Sequence, residues 1–474
     1  MKIQFTSYYK MTIDGEAVSA DLDLPVVNPA NEEVIARVPD ASREQLEEAV
    51  AAAKRAFPAW SALPLPARQA YVSAIGDVIE KHAEEFMRLL TQEQGKAHKG
   101  AEWEIGGSVI WCREVAKQEL PHIVEESGMR KVITRRVPLG VVGGITPWNF
   151  PMLLAVWKIA PALVTGNTMV LKPSPFTPLC TLKLGELLRD VLPPGVLNIV
   201  SGGNELGAWM TAHPGISKIS FTGSTATGKK IMESAAGNLK RITLELGGND
   251  PAIVLPDVDV EATAEKLFWA CFQNSAQFCV AAKRLYIHEA IYDELAQALV
   301  EYAKTVKVGD GSDPETDLGP IQNRMQFEKL KDLLADAKSQ QLRFLLGGDI
   351  PERPGFFVPV TLIDNPPEDS RVVVEEAFGP LLPLLKFKDI DDVIARANDT
   401  EYGLAASVWS NDLDQAQRIA ERIEAGTVWI NEIHTFSPHV AFGGQKQSGI
   451  GIENSLEGLA EYTSVQTLVT NGKR

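Results

Sequence analysis

Metal-binding and disulfide-forming residues are scarce and widely spaced in this sequence. Its 474 residues include four cysteines and seven histidines, with no CxxC pair and no HxxxH pair. So few cysteines do not build the disulfide framework of a small secreted protein. The missing ligand spacings argue against a metal site. We therefore expect a cytoplasmic protein without a bound metal.

Basic residues and long apolar runs are also in short supply. The chain has 46 lysines and arginines against 62 acidic residues, which gives a formal net charge of −16. Nucleic acids and anionic membranes attract basic patches, so neither is expected as a partner. No apolar run reaches the roughly 18 residues of a membrane span. The segment from Met1 to Lys10 also lacks the apolar core of a secretory signal.

What is present is the composition of a soluble globular protein with a large core. Hydrophobic residues make up 45% of the chain and charged residues 23%, which is ample for burial. A chain of this length is expected to form two or three domains. The first third is predicted to be helical, with helices from Ala41 to Trp60, from Pro66 to Glu93 and from Glu102 to Lys117. Ser42 and Gln45 have the spacing of a capping box for the first helix.

From Lys131 onward, β-branched segments alternate with helical ones. This alternation predicts a parallel sheet with helices on both faces. Thr177 is expected to cap one of these helices and Pro178 to open it. A second alternating region begins near Asp250. The C-terminal segment EYTSVQTLVTN is predicted to be a strand that leaves the body of the protein.

Three segments hold polar residues that could perform chemistry. Cys279 follows the run NSAQ and precedes a predicted strand. It is either a small core residue or a nucleophile that needs a base and an oxyanion site. Glu245 lies in an apolar strand, where desolvation would raise its pKa towards that of a general base, unless a lysine pairs with it. Asn149 lies in a stiff loop between two prolines, where its amide could stabilise an oxyanion or cap a turn.

Three further segments could bind a phosphate or a sugar. Gly223 and Gly228 lie where a predicted strand is followed by a helix, and a helix N-terminus can bind a phosphate. Ordinary turn glycines are the alternative, since they have the same spacing and the chain contains no GxGxxG motif. Lys172 ends a predicted parallel strand, at the edge where α/β sheets bind ligands; a solvated lysine is the alternative. Glu376 and Phe378 lie together in the turn of EEAFGP.

Eight segments in sequence order resemble the aldehyde dehydrogenase superfamily over nearly the whole chain: PWNFP, LKPSPFTP, FTGSTATG, LELGG, FQNSAQFC, EEAFGP, GTVWIN and AFGGQKQSGIG. The resemblance implies an NAD(P)-dependent enzyme of the hydrolytic, non-acylating type, which converts an aldehyde into a free carboxylic acid. Cys279 would be the nucleophile, and the Asn149 side chain with the Cys279 backbone N–H would hold the oxyanion. Glu245 would activate the water that hydrolyses a thioester.

The resemblance also implies an α/β fold in three parts. A Rossmann-type parallel-sheet cofactor domain would comprise residues 1–118 and 139–246, and an α/β catalytic domain residues 247–450. A small β extension, residues 119–138 and 455–474, would join chains into a homodimer or homotetramer.

The implied cofactor is NAD, and NADP is not excluded. Pro175 occupies a position where many NAD-preferring members carry a glutamate that repels a 2′-phosphate. A second departure is Ala276, where a glycine is common; its small size predicts little consequence. The cofactor-binding residues implied by the resemblance are Ile145, Thr146, Trp148, Lys172, Ser174, Pro175, Gly223, Ser224, Glu376 and Phe378.

The implied substrate tunnel is apolar and aromatic, which favours a hydrophobic aliphatic or aromatic aldehyde. A semialdehyde or an amino-aldehyde is the alternative. Less favoured are a CoA-acylating relative, which usually lacks the glutamate, a thiol hydrolase using His288 or His434, and a non-catalytic structural protein. The other three cysteines are expected in the core. The implied tunnel residues are Phe150, Leu154, Trp157, Phe278, Val280, Phe436 and Phe442.

Overall fold

The computed structural model of the chain describes residue 5 and residues 7–472. The prediction that Met1 to Lys10 carries no secretory signal therefore falls partly outside the described residues, as do the last two residues of the predicted β extension. Within the described range, no helix is both long and apolar enough to cross a membrane.

Helices and strands alternate along much of the chain. Over the described residues the α-helices are α1 Arg43–Ser61, α2 Leu65–Lys81, α3 Ala83–Gln94, α4 His98–Val115, α5 Pro151–Val164, α6 Leu179–Leu188, α7 Asn204–Ala212, α8 Thr225–Ala236, α9 Val260–Phe272, α10 Tyr292–Thr305, α11 Arg324–Ser339, α12 Arg371–Val374, α13 Ile390–Asn398, α14 Leu413–Ala420 and α15 Ser455–Ala460.

The strands in the same part of the chain are β1 Met11–Ile13, β2 Glu16–Val18, β3 Leu22–Val27, β4 Val34–Asp40, β5 Ile123–Ser127, β6 Arg130–Pro138, β7 Val141–Ile145, β8 Thr168–Lys172, β9 Leu197–Ile199, β10 Lys218–Thr222, β11 Arg241–Glu245, β12 Asp250–Val254, β13 Ala282–His288, β14 Phe344–Leu346, β15 Thr361–Asp364, β16 Leu381–Phe387, β17 Tyr402–Gly403, β18 Ala405–Trp409, β19 Thr427–Ile430, β20 Gln445–Lys446, β21 Gly449–Ile450 and β22 Thr463–Asn471.

The first large sheet has the strand order β2-β1-β9-β8-β7-β10-β11-β21. Its five strands from β9 to β11 run parallel, while β1 pairs antiparallel with both β9 and β2, and β21 pairs antiparallel with β11. Every residue of β7 and β8 is buried, so both faces of the sheet are covered. Helices α1, α5, α6 and α7 pack against it. The predicted parallel sheet is confirmed.

The second large sheet has the order β14-β15-β16-β13-β12-β18-β19 and is parallel except for β14. A third, antiparallel sheet has the order β22-β6-β5, in which β22 pairs with β6 from Thr463 opposite Pro138 to Asn471 opposite Arg130. The C-terminal segment is thus a strand, as predicted, and it pairs outside both large sheets. Two short ribbons, β3 with β4 and β17 with β20, complete the strand pairing of the described residues.

Local details confirm one helix-cap prediction and correct a helix boundary. Ser42 Oγ accepts the Gln45 N–H at 3.2 Å, and Gln45 Oε1 accepts the Ser42 N–H at 3.1 Å, which is the predicted capping box. The single helix predicted from Pro66 to Glu93 is two helices, α2 and α3. They meet at His82, whose φ of −116° and ψ of 22° are not helical.

The predicted cap of α6 is wrong by one residue and in its chemistry. Helix α6 begins at Leu179 with Pro178 at the N-cap, and the buried Thr177 hydroxyl has no hydrogen-bond partner among the described residues. The Glu93 carboxylate caps the helix instead, since it accepts the N–H groups of Leu179 at 2.7 Å and Cys180 at 2.9 Å. A cap supplied from 86 residues earlier leaves no local sequence pattern.

Candidate active site

Cys279 follows a backbone turn of left-handed conformation. Asn274, Ser275 and Ala276 have φ values of 55°, 55° and 57°, a region that costs a non-glycine residue about 1–2 kcal/mol. The turn follows α9 and leads to Cys279, three residues before β13 begins. From the small size of alanine we predicted little consequence of Ala276. Its positive φ shows that backbone conformation matters at this position, where a glycine would be unstrained.

The left-handed turn is held in place by the neighbouring segment 319–322. Ser275 Oγ donates to the Gly319 carbonyl at 2.7 Å, and Gln277 Nε2 donates to the Pro320 carbonyl at 3.2 Å. Gln277 Oε1 accepts the Gln322 N–H at 2.8 Å. A strained turn persists when its surroundings determine it in several places, as these three bonds do.

Cys279 lies on the wall of an apolar cavity. It is half-buried, whereas the other three cysteines are buried, as expected of core thiols. Burial raises the pKa of the Cys279 thiol to about 12; the charge of Lys283 lowers it, while Asp250 and Glu245 raise it. The resting thiol is therefore neutral, and it must lose its proton before it can act as a nucleophile.

Glu245 is a buried carboxyl group without a partner. It ends β11 beside Thr222 of β10, and neither of its oxygens has a hydrogen-bond partner among the described residues. Burial raises the pKa of Glu245 well above its usual range, as predicted; the charge of Glu453 raises it further and that of Lys158 opposes the rise. The expected alternative of a lysine pair fails, because Lys158 Nζ bonds Glu453 Oε1 at 3.0 Å and Thr222 Oγ1 at 2.9 Å instead.

Asn149 points its side chain at the nucleophile segment. Its Nδ2 donates to the carbonyl of Gln277, two residues before Cys279, at 3.1 Å. This bond reaches across the site instead of capping the loop of Asn149 itself. A primary amide carries two N–H groups, so the second can serve a substrate oxygen.

A buried ion pair supports the Asn149 loop, and sequence reasoning missed it. Lys96 Nζ lies 2.5 Å from Glu104 Oε2 and donates to the Asn149 carbonyl at 2.9 Å. Glu104 Oε1 accepts the N–H groups of Met152 at 2.8 Å and Leu153 at 3.2 Å, at the start of α5. The pair therefore fixes both sides of the loop that carries Asn149, and nothing in its spacing distinguishes it from surface charge.

Six of the seven expected tunnel residues line the cavity with Cys279 and Glu245. The cavity and the open space at its mouth together measure about 500 Å³. Its rings pack against one another: Phe150 and Phe278 have ring centroids 4.5 Å apart, and Trp157 and Phe442 5.8 Å apart. The lining residues are Trp103, Phe150, Leu153, Leu154, Trp157, Thr222, Glu245, Leu246, Phe278, Cys279, Phe436 and Phe442.

The seventh expected tunnel residue, Val280, does not line the cavity. It follows Cys279 and is fully buried, with its carbonyl 3.2 Å from His434 Nε2. Four lining residues were not predicted, because residues on separate helices and strands share no local motif. They are Trp103, Leu153, Thr222 and Leu246. Trp103 is 37% exposed on α4, so its exposure gives no indication that it lines the tunnel.

Neither candidate histidine is placed to act on Cys279. Burial lowers the pKa of His434 to about 3, and its ring nitrogens face Gln273 Oε1 at 2.9 Å and the Val280 carbonyl at 3.2 Å. His288 ends β13, where its Nδ1 accepts the Ala290 N–H at 3.2 Å. The geometry therefore offers no Cys–His pair for a thiol hydrolase among the described residues.

The expected cofactor residues meet at the carboxyl edge of the first sheet. Ile145 ends β7 directly beside Lys172, which ends β8. Lys172 is 4% exposed, and burial lowers its pKa to about 8, which argues against the solvated-lysine alternative. The Thr146 hydroxyl is buried without a hydrogen-bond partner in the described part of the chain, and Ser174 Oγ accepts the Phe176 N–H at 3.3 Å.

The turn between β10 and α8 leaves room for a ligand close to its backbone. A Cβ on Gly223 would lie 2.4 Å from the Phe221 ring, and a Cβ on Gly228 would lie 2.5 Å from the Leu246 side chain. Ser224 caps α8 by accepting the Thr227 N–H at 3.3 Å. A side chain at either position would have to displace one of these neighbours, and α8 begins at the carboxyl edge of the sheet, where a helix N-terminus can stabilise an anion.

The remaining cofactor candidates lie on the other side of the cleft. Phe378 packs edge-on against Trp148 at 5.3 Å between ring centroids. Glu376 Oε1 accepts the Gly248 N–H at 3.1 Å, and a Cβ on Gly247 would lie 2.6 Å from Glu376 Oε2. The close glycine approaches, the unpaired Thr146 hydroxyl and the buried Lys172 fit a dinucleotide. Over the described residues, no group of three or more metal-ligating side chains lies together.

Comparison with known proteins agrees with this geometry. The family model described as the aldehyde dehydrogenase family matches residues 17–468. An aldehyde dehydrogenase of Fusarium is 41% identical over 468 residues, which cover 98% of this chain and 99% of that one. The chloroplastic betaine aldehyde dehydrogenase of Beta vulgaris is 39% identical over 466 residues, covering 94% and 93% of the two chains.

Solved structures agree as well. The NAD+ complex of an aldehyde dehydrogenase from Bacillus cereus superposes with a TM-score of 0.97 at 37% identity, covering 99% of this chain and 98% of that one. The resemblance and the fold inferred from the eight sequence segments are thereby confirmed. Sequence identity and superposition that both extend over almost the full length show that the chain belongs to the aldehyde dehydrogenase family.

Proposed function

We propose that the protein oxidises a hydrophobic aldehyde to the free carboxylic acid, with NAD as the hydride acceptor and NADP as a second acceptor. One observation carries the proposal: a half-buried thiol, Cys279, and an unpaired buried carboxyl group, Glu245, line the same apolar cavity. The cavity adjoins a sheet edge whose glycines and lysine fit a dinucleotide. The family membership of the chain makes the aldehyde dehydrogenase activity itself secure.

In the first step the Cys279 thiolate attacks the aldehyde carbonyl and gives a thiohemiacetal. The developing oxyanion would accept hydrogen bonds from the Asn149 side chain and the Cys279 backbone N–H. Such donors stabilise the transition state most when they are already fixed in place. Asn149 meets this requirement, because the Gln277 carbonyl and the Lys96–Glu104 pair hold it from two sides. Transfer of a hydride from the thiohemiacetal carbon to bound NAD, with loss of the hydroxyl proton, would leave a thioester on Cys279.

In the second step Glu245 would activate a water molecule that hydrolyses the thioester on Cys279. Burial raises the pKa of Glu245, which makes its carboxylate a stronger base than an exposed one. The presence of Glu245 also favours hydrolysis over transfer to CoA, because the acylating relatives usually lack this residue.

The cavity favours an apolar substrate. Apart from Glu245 its lining carries no charged side chain, so an anionic aldehyde would lose its hydration without a counterion and a cationic one would meet only the carboxyl group of Glu245. A rival candidate is an amino-aldehyde or a quaternary ammonium aldehyde, because the six aromatic rings could make cation–π contacts. The relationship to a betaine aldehyde dehydrogenase supports this second candidate.

The cofactor residues would divide their work along the dinucleotide. Lys172, near Pro175, would contact the adenosine ribose, and the turn of Gly223 and Ser224 the pyrophosphate. Glu376 would hold the nicotinamide ribose, beside Trp148 and Phe378. The cofactor domain would comprise residues 1–118 and 139–246, and the catalytic domain residues 247–450.

The third sheet offers a surface for assembly. Strands β5 and β22 and the turn between β5 and β6 expose apolar side chains, including Ile123, Val124, Met129, Val465 and Val469. Clustered exposed apolar residues mark association surfaces. We therefore assign residues 119–138 and 455–474 to a homodimer or homotetramer contact, in a cytoplasmic enzyme. Light scattering on the purified protein tests the assembly.

The central experiment measures NADH formation with aldehydes of increasing chain length and with a betaine-type aldehyde. NAD and NADP are compared for each substrate. Cys279→Ala should abolish turnover, whereas the matched control Cys271→Ala, a core thiol eight residues earlier, should retain it. A higher kcat/KM for the charged aldehyde than for a medium-chain aldehyde would overturn the substrate assignment. If turnover requires added CoA, the assignment of a hydrolytic second step is wrong.

A further inference from the structure

A buried lysine reaches back to the backbone of the nucleophile. Lys283, near the start of β13, is 6% exposed, and its Nζ donates to the Cys279 carbonyl at 2.6 Å and to the Ala281 carbonyl at 3.4 Å. A Cβ on Gly248 would lie 2.9 Å from the same Cys279 carbonyl oxygen. That oxygen is therefore enclosed between the ammonium group and a glycine that leaves it room.

The same ammonium group reaches the opposite wall of the cleft. Lys283 Nζ lies 3.6 Å from Glu376 Oε1, with both side chains largely buried. Glu376 Oε1 also accepts the Gly248 N–H, while Oε2 faces Gly247. One oxygen of Glu376 thus accepts a hydrogen bond from Gly248 and lies within ion-pair distance of Lys283, and we infer that the other oxygen serves a ligand.

The charges around the Cys279 thiol are unequal. Three carboxyl groups raise its pKa, those of Asp250, Glu245 and Glu376, while Lys283 lowers it. Asp250 itself is buried, with its oxygens unpaired among the described residues, and the charge of Lys283 opposes the rise in its pKa. Burial is the main cause of the raised pKa of the Cys279 thiol, and Lys283 opposes the further rise that the three carboxyl groups cause.

Resting on the proposed roles of Cys279 and Glu376, we propose that Lys283 is a positioning residue that couples cofactor binding at Glu376 to the reactivity of the Cys279 thiol. When ribose hydroxyls bind Glu376, the carboxylate shares its charge with them and its hold on Lys283 weakens. The ammonium charge then acts more fully on the Cys279 segment. Thermodynamic linkage makes the effect mutual, so a change at Lys283 must alter cofactor affinity as well.

The test follows alkylation of Cys279 by iodoacetamide, without aldehyde, over a pH series with and without NAD. In this reaction the sulfur–carbon bond forms, iodide leaves and the thiol proton goes to solvent. Lys283→Gln and Lys283→Met should each slow the alkylation by about tenfold or more at every pH below its midpoint, because a rise of one unit in the thiol pKa removes nine-tenths of the thiolate. Both should lose the NAD-dependent change in rate and show a KM for NAD lowered by up to about tenfold, because Glu376 no longer divides its charge between Lys283 and the ribose.

Two further variants separate charge from packing. Glu376→Gln removes a negative charge from the same cluster and should change the alkylation rate below the midpoint in the opposite direction, which a packing defect would not do. Lys283→Gln keeps a donor for the Cys279 carbonyl, so its kcat at alkaline pH should exceed that of Lys283→Met. Lys329→Met is the matched control: Lys329 is exposed and donates to the Glu376 backbone carbonyl at 2.6 Å without reaching Cys279.

The outcomes are distinguishable. Thermal unfolding identifies variants that fold as the wild type does, and only those are compared. If Lys283→Gln keeps the wild-type alkylation profile and its NAD response, the coupling is refuted, whatever happens to turnover. If the wild-type protein oxidises no aldehyde, the proposed function fails, while a NAD response that depends on Lys283 would still support the coupling.

Discussion

Glu104→Gln should be among the most damaging single substitutions outside the cavity. The change leaves the Lys96 ammonium group without its counterion. Water cannot replace that counterion, because the side chain of Lys96 is 2% exposed and that of Glu104 is 0% exposed. Breaking one partner of a buried pair typically costs about 3–5 kcal/mol. An amide oxygen can still accept one N–H group of α5, so we expect a loss in unfolding free energy at the lower end of that range.

A surface pair of equal length supplies the control. Arg37 and Asp23 also lie 2.5 Å apart, but their side chains are 60% and 49% exposed. Asp23→Asn should therefore cost under about 1 kcal/mol. The two substitutions make the same chemical change at the same distance, so the difference between them measures burial.

The assay is urea unfolding of each variant beside the wild type, followed by fluorescence, together with kcat. Burial already lowers the pKa of Lys96, and loss of Glu104 lowers it further. Protonation of this lysine is then disfavoured in the folded state, so the stability deficit should grow as the pH falls. Turnover should fall too, because Lys96 no longer holds the Asn149 carbonyl rigidly. A Glu104→Gln variant as stable as Asp23→Asn would refute the reasoning.

Three other substitutions probe separate parts of the site. Burial raises the folded-state pKa of Glu245, and its stabilising effect is lost as the pH rises through that pKa. Glu245→Gln should therefore raise the midpoint temperature of unfolding at alkaline pH and change it little at acidic pH. The variant should also stop releasing the carboxylic acid product. An equal shift of the midpoint temperature at every pH would contradict this reasoning. Pro175→Glu should raise the KM for NADP by at least about tenfold and leave NAD little affected, because a carboxylate there opposes a 2′-phosphate; unchanged NADP kinetics would count against Pro175. Ala276→Val should lower both stability and turnover, because a β-branched residue resists the φ of 57°, whereas Ala276→Gly should be tolerated. Thermal unfolding and kcat of the two variants test this. Equal effects of valine and glycine would exclude a backbone cause.

The parts of the structure that follow from local pattern were predictable, and those that depend on distant partners were not. The capping box of Ser42 and Gln45 and the parallel alternation of strands and helices needed only neighbouring residues. The cap that Glu93 gives to α6 and the Lys96–Glu104 support of Asn149 join segments far apart in sequence. The left-handed turn at Ala276 was hidden for another reason, because residue size says nothing about backbone handedness.

Family motifs placed the chemically distinctive residues of the site but not their supports. Cys279, Glu245 and Asn149 converge as the resemblance implied, each with an environment that its segment suggested. Trp103 and Leu153, which complete the cavity wall, belong to helices whose exposed and buried faces are set only by packing. Lys283 looks in sequence like the solvated start of a strand, yet it is enclosed.

The two C-terminal strands also set an order of assembly during synthesis. Strand β21 covers the edge of β11 about 200 residues after that strand was made, and β22 covers β6 over its whole length more than 300 residues after it. A growing chain must therefore wait, with two strand edges uncovered, until nearly all of it has left the ribosome. Uncovered edges invite pairing between chains. A product truncated before residue 449 would keep its nucleophile and base and still be prone to aggregate, so this protein should depend on chaperones most in the last moments of translation.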